Sequence, residues 1–189
     1  MKSLIKKICA LSVGVAAGLT LGLVSTAAAT STSPVEHASA AAATSTPRCA
    51  ISGLVIWLDT RGEGTAGATF YYVEFTNLSP NACTLSGYLR VSGINLDGRQ
   101  LGSEGAPYST AKPGEVVLAS GARASMALRI TDVDNFTPSA CLKVTAAGLR
   151  VYAPSQSSFK VVPFPFDACS RTGPIYLHEL AVQKANSLG

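Results

Sequence analysis

The sequence predicts an all-β fold, an antiparallel immunoglobulin-like β-sandwich of about eight short strands stapled by two disulfides. Three observations predict it. From Cys49 onward apolar residues alternate with polar ones instead of following the period of a helix. The chain carries 17 glycines and 10 prolines, many placed as turn signals between those alternating runs. Of its five cysteines, all but Cys9 lie beyond an N-terminal export-type segment, an even number suited to an oxidising compartment.

The strands are read in order. Leu54, Ile56 and Leu58 alternate with Val55, Trp57 and Asp59. After the glycine-rich stretch Arg61 to Gly67, Tyr71, Val73 and Phe75 alternate with Tyr72, Glu74 and Thr76. Cys83 to Ile94 forms a third segment, closed by the turn pair Asp97-Gly98. Glu115 to Leu118 is short. In Ala122 to Thr131, Ala122, Ala124, Met126, Leu128 and Ile130 face one way, while Arg123, Ser125, Arg129 and Thr131 face the other. Cys141 to Tyr152 is a strand interrupted at Ala146-Ala147-Gly148, which places a bulge or kink there. Phe159 to Phe164 and Ile175 to Gln183 complete the set, and no amphipathic helix competes with them.

Upstream, Met1 to Lys7 holds Lys2, Lys6 and Lys7 and no acid. An uncharged apolar run follows to Val24, and Ala27-Ala28-Ala29 offers a cleavage site, the pattern of a signal peptide over residues 1–29. The alternative is an uncleaved anchor, against which stand Gly14, Gly18 and Gly22 within the run. No lipobox precedes Cys49. Residues 30–48, rich in Ala, Ser, Thr and Pro with a lone Glu36 and His37, read as a flexible linker. Residues 49–189 then form a single domain.

Composition excludes several function classes. The chain is 189 residues long, 47% hydrophobic and 14% charged, which rules out a disordered polyelectrolyte. Loss of the three N-terminal lysines leaves 12 basic residues against 11 acidic ones, scattered singly. Such a chain has no electrostatic footprint for nucleic acid, and no stable membrane insertion is expected once the signal is gone.

Cys49, Cys83, Cys141 and Cys169 allow three connectivities. Cys49 with Cys83 and Cys141 with Cys169 is favoured, because each cysteine opens or closes neighbouring strands. A zinc site would need closely paired spacings that this chain lacks, so no metal and no cofactor is expected.

In order, these pieces resemble a known family, the secreted domain of unknown function numbered 4232, common in actinobacterial exported proteins. The resemblance rests on Phe75-Thr76-Asn77-Leu78-Ser79 leading into Cys83-Thr84-Leu85-Ser86-Gly87-Tyr88, and on Val117-Leu118-Ala119-Ser120-Gly121-Ala122-Arg123-Ala124. It continues through Cys141 with Leu149-Arg150-Val151-Tyr152-Ala153-Pro154 and Ala168-Cys169. Leu89 and Ser120 stand where the family commonly has proline. The resemblance implies an exported all-β sandwich with paired disulfides and implies no established activity.

Chemistry-bearing residues are few. His178 is the lone histidine of the domain and shares a strand face with Tyr176, Leu180 and Val182, where it reads as a half-buried, hydrogen-bonded side chain. Without a G-x-S-x-G elbow or a second histidine, no catalytic residue is assigned. Asp132-Val133-Asp134-Asn135 resembles the start of a calcium loop. Thr137 and Lys143 at the sixth and twelfth positions exclude an EF-hand, so the choice is between a weak surface site and an acidic turn. Asn77 and Asn135 open glycosylation sequons to which no role is ascribed.

Trp57, Phe70 and Tyr72 form a candidate binding face if their side of the sheet is open, against the alternative that both faces of that strand are covered. Phe164-Pro165-Phe166 packs over the sandwich edge. The function expected is a non-catalytic recognition or accessory module, secreted or at the cell envelope, with an extracellular protein or an envelope component as partner. A protease inhibitor or weak hydrolase using the Arg61 to Gly67 or Ala106 to Gly114 loop is the alternative, as is a small-ligand carrier with an apolar cleft.

Overall fold

Alternation is the rule that builds the first hairpin. A computed structural model describes residues 45–109 and 113–185. In it, β1 (Leu54–Thr65) runs antiparallel to β2 (Ala68–Asn77) through a turn in which Gly67 takes φ +71°. That backbone suits glycine, and Asn135 fills the space a side chain would need there. Leu54, Leu58, Val73 and Phe75 point inward and are buried, whereas Trp57 and Val55 point out.

The remaining strands are β3 (Cys83–Ser86), β4 (Arg90–Ile94), β5 (Gln100–Leu101), β6 (Ala106–Pro107) and β7 (Glu115–Leu118). After them come β8 (Arg123–Thr131), β9 (Lys143–Tyr152), β10 (Phe159–Cys169), β11 (Leu177–Glu179) and β12 (Gln183–Lys184). One sheet has the order β1-β2-β8-β11-β6, with β12 also on β8; the second has the order β10-β9-β4-β5; β3 pairs with β7. Among the described strands every pairing is antiparallel except β11 with β6. The result is an antiparallel β-sandwich. Its β1-β2-β8 and β10-β9-β4 orders follow the A-B-E and G-F-C orders of immunoglobulin sheets. That likeness is one of strand order, and the parallel β6 strand departs from it.

The two sheets bury their inward rows against each other. Val73, Phe75, Met126 and Leu128 from one sheet and Val91, Leu149 and Val151 from the other are 0% exposed, which makes this the core. Tyr176 joins them fully buried, its hydroxyl donating to the Leu101 carbonyl at 2.9 Å. Cys49 is bonded to Cys83 and Cys141 to Cys169, the pairing expected from strand adjacency.

Several local readings change. Arg61 to Gly67 is no free loop: most of it lies in β1, where Thr60, Arg61 and Gly62 stand opposite the single residue Tyr71. Cys83 to Ile94 is two strands in different sheets, broken at Gly87-Tyr88-Leu89. Cys141 ends a helical turn, α1 (Pro138–Cys141), and the strand begins only after Leu142, which sits at φ 48°. The irregularity expected at Ala146 to Gly148 is present, but the extra residue is on the partner strand. Phe164 and Pro165 of β10 oppose Ala147 alone. Phe164 turns in to pack on Tyr71, with ring centroids 4.9 Å apart. Ile175 to Gln183 is strand only at Leu177–Glu179 and Gln183–Lys184.

The residues read as signal peptide and most of those read as linker lie outside the described residues. At the linker's end, Pro47 accepts a hydrogen bond from the Thr84 amide at 2.8 Å, and Arg48 bridges to Thr84, so chain pairing starts two residues before Cys49. Among the described residues no helix is long and apolar enough to cross a membrane.

Candidate functional site: the outer face of the first sheet

Register places the outward residues of β1, β2, β8 and β11 in rows across one surface. Trp57 lies opposite Glu74 and Glu74 opposite Ser125; Asp59 lies opposite Tyr72 and Tyr72 opposite Ala127. In the next row Phe70 is opposite Arg129, and Arg129 is opposite His178. Trp57, Phe70 and Tyr72, the three residues assigned to a candidate face from the sequence, therefore lie on one side of one sheet. Trp57 is 40% exposed, while Phe70 and Tyr72 are half-buried among their neighbours.

Tyr108, immediately after β6, completes this face and was missed. It is 52% exposed, and its backbone amide donates to the Glu179 carbonyl at 2.8 Å, which ties it to β11. Its ring stands edge-on to Phe70 at 6.1 Å and to His178 at 6.0 Å. The Arg129 guanidinium lies 5.5 Å from the same ring, within cation–π range. The only sequence signal was an aromatic residue in a proline- and glycine-flanked loop. Nothing local shows that β6 carries that loop back onto the sheet.

Charges on the face are mostly matched. Asp59 pairs with Arg61 at 2.7 Å, and hydrogen bonds from Arg61 hold its carboxyl down to about 2. Glu74 lies 3.5 Å from Arg123, which also covers the Trp57 ring at 5.7 Å. Burial raises the Glu74 carboxyl, and the charge of Arg123 opposes that rise. Arg129 donates to Thr131 Oγ1 at 2.6 Å and, among the described ion pairs, has no acidic partner.

His178 lies on this face, while Leu177 and Glu179 beside it on β11 are buried. Tyr176 does not share its side, because the chain turns the tyrosine into the core before β11 begins. Burial first, and then the positive charge of Arg129, lowers the imidazole's proton affinity against a hydrogen bond involving Ile175. The ring is therefore neutral at neutral pH. It faces a tyrosine and an arginine, and no described ion pair links it to a carboxylate that could orient it as a base.

Other candidates resolve differently. Asp132 Oδ1 accepts from the Asp134 amide at 3.0 Å, the arrangement of an acidic turn. Lys143 Nζ sits 2.8 Å from Asp134 and 2.9 Å from Asp167, which fills the space a cation would need. Among the described residues no three His, Cys, Asp or Glu side chains are gathered for a metal. A 440 Å³ depression lies beside these groups, lined by Tyr71, Phe166 and the turn before β2. Asn77 is 0% exposed and its Nδ2 donates to the carbonyls of Asn81 and Leu118 at 2.9 and 3.0 Å, so the folded chain has no free amide at that sequon.

A second arginine–aromatic cluster covers the other sheet and was not read from the sequence. Arg90 lies over Tyr152 at 4.4 Å and Arg150 over Phe159 at 4.7 Å, with Tyr152 and Phe159 5.4 Å apart. There Arg90 is already paired with Glu104, and Arg150 donates to the Gly98 carbonyl.

No curated protein and no solved structure matches the chain. The family described as Domain of unknown function (DUF4232) matches residues 49–184, which takes in every described strand and both disulfides. The chain belongs to that family.

Proposed function

We propose that this protein is an exported, non-catalytic recognition module that docks an extracellular protein or a protein of the cell envelope on the outer face of its first sheet. The observation that carries this reading is the gathering of Trp57, Phe70, Tyr72 and Tyr108 with Arg123 and Arg129 on one surface. Tryptophan, tyrosine and arginine are the side chains that most often carry binding energy at protein interfaces. The basic n-region, the apolar run and two disulfides support export. His178 sits between Tyr108 and Arg129, and the positive charge of Arg129 disfavours the imidazolium that a general base must become, which supports the non-catalytic part of the reading.

The test is a binding comparison with the extracellular and envelope fractions of the producing cell. Trp57→Ala and Tyr108→Ala should each lose the proteins that the wild type retains, while Leu96→Ala, at a 95% exposed position off the face, should retain them. Equal retention by all three variants would reject this face.

A further inference from the structure

We infer that the partner presents a carboxylate from an acidic segment of polypeptide, and that Arg129 receives it. This inference rests on the proposed docking role of the face and identifies the chemistry the face is built to accept.

Charge complementarity singles out Arg129. Of the acids on this face, Asp59 and Glu74 are already paired with Arg61 and Arg123, and Glu63 stands opposite Phe70, one strand further from Arg129 and in no described ion pair with it. Arg129 stands at the centre of the row Phe70–Arg129–His178, half-buried, with Thr131 Oγ1 as its one hydrogen-bond acceptor among the described residues. A guanidinium has five N–H donors in a planar fork. Its neighbours Phe70 and Tyr108 supply no acidic group, and His178 is kept neutral. An aromatic rim around a cation lowers the local dielectric, so a carboxylate arriving there gains more than it would at an open lysine. Arginine, with its fork, is also the side chain suited to two-point recognition of a carboxylate.

Ring geometry favours polypeptide over acidic sugar. Sugar platforms need open, flat ring faces. Here Tyr108 meets Phe70 at 84° and His178 at 71° and carries Arg129 near its ring, while Arg123 lies over Trp57. The rings thus lean on one another and on guanidinium groups instead of lying side by side as one platform, and charged side chains border them, a mixture suited to a protein interface.

The probe is a phage-displayed library of random 12-residue peptides selected on the disulfide-intact protein and eluted by competition with free protein. Selected peptides should share an Asp or Glu flanked by apolar residues, and their binding should quench or shift the fluorescence of Trp57, the chain's single tryptophan. Arg129→Gln should weaken a selected peptide on the order of tenfold or more. Changing the peptide's acid to its amide should weaken wild type equally and add nothing to Arg129→Gln, whereas Arg129→Lys should restore part of the loss. Circular dichroism checks that each variant is folded. Peptides that need Trp57 and Tyr108 but carry no acid, or that bind Arg129→Gln unchanged, would overturn the carboxylate while leaving the docking face standing. Selected peptides indifferent to Trp57→Ala and Tyr108→Ala would overturn both. Binding of a glucuronic-acid oligosaccharide at Arg129 in place of peptides would overturn the choice of polypeptide.

Discussion

Gly105 leaves the space that the Glu179 carboxyl fills: a methyl group on Gly105 would overlap Glu179 Oε1. Glu179 is 1% exposed between the sheets, and Oε1 has no hydrogen-bond partner. Burial lifts this carboxyl from 4.5 to about 8; backbone hydrogen bonds involving Val91 and Glu179 itself oppose the shift, and the charge of Glu104 adds to it. The protein thus holds a neutral carboxylic acid in its core at neutral pH.

Stability should therefore depend on pH in a defined direction. The folded state keeps a proton that the unfolded chain releases near 4.5, so the full contribution is present below that pH and is lost as pH rises to about 8. The slope is at most roughly 1.4 kcal/mol per pH unit. In urea titrations between pH 5 and 8, wild type should lose about 2 to 4 kcal/mol more than Glu179→Gln, which has no proton to release. Parallel curves for the two proteins would reject the shift.

Gly105→Ala should be costly for a separate reason. The added methyl must displace the carboxyl toward apolar neighbours, an overpacking penalty of about 1 to 3 kcal/mol. Glu179→Gln would not relieve it, because the amide occupies the same volume, so the two losses should persist together in the double variant when its urea midpoint is measured.

Asn77 ties the end of β2 to the strand pair β3-β7. Its Nδ2 reaches the Asn81 and Leu118 carbonyls, and its Oδ1 accepts from the Ser79 amide at 2.9 Å and hydroxyl at 2.6 Å. Asn77→Ala should cost about 2 to 4 kcal/mol in thermal or urea unfolding, because buried carbonyls lose their donor. Asn77→Asp should cost more, since a carboxylate would then face those carbonyls.

The Cys49–Cys83 bond closes a loop of 34 residues. Replacing both cysteines with alanine should lower stability by about 2 to 4 kcal/mol on the loop-entropy account. Part of the junction should survive in the variant, because Gln156 Nε2 donates to the Cys49 carbonyl at 2.7 Å and Cys49 donates to Thr84 at 2.9 Å. Chemical denaturation followed by fluorescence measures the difference.

His178→Gln separates recognition from catalysis. With Arg129 disfavouring its protonated form, the imidazole packed beside Tyr108 contributes contact rather than proton transfer, so the variant should bind partner within a few-fold of wild type. A folded His178→Gln protein with its function abolished and Tyr108→Ala unaffected would reverse the reading in favour of an enzyme.

What the sequence revealed followed the range of the interactions involved. Alternation in Ala122 to Thr131 identified the inward row Ala124, Met126 and Leu128, because side-chain direction in a strand is local. The disulfides were legible because each links neighbouring segments. Trp57, Phe70 and Tyr72 share a face by parity and hairpin register, both of which are local. Tyr108 was not legible, since its place depends on a parallel pairing of β6 with β11, some seventy residues away in sequence. Tyr176 escaped for a related reason: it precedes the strand whose alternation was applied to it. The break at Gly87 to Leu89 was hidden because Leu85 and Val91 on either side of it are both buried, and only the sheet each strand joins tells the two apart.

The prolines of β10 have a consequence for the molecule in company with its own copies. β10 ends one sheet, and the open side of an edge strand is a template on which another chain can add. Pro163 and Pro165 have no amide hydrogen to offer an incoming strand, and the extra residue between Pro163 and Phe166 throws the remaining groups out of register. β1, at the end of the other sheet, is broken in the same way between Asp59 and Glu63. Both borders are thereby poor templates for an added strand, which opposes edge-to-edge association between copies that each carry an exposed aromatic surface.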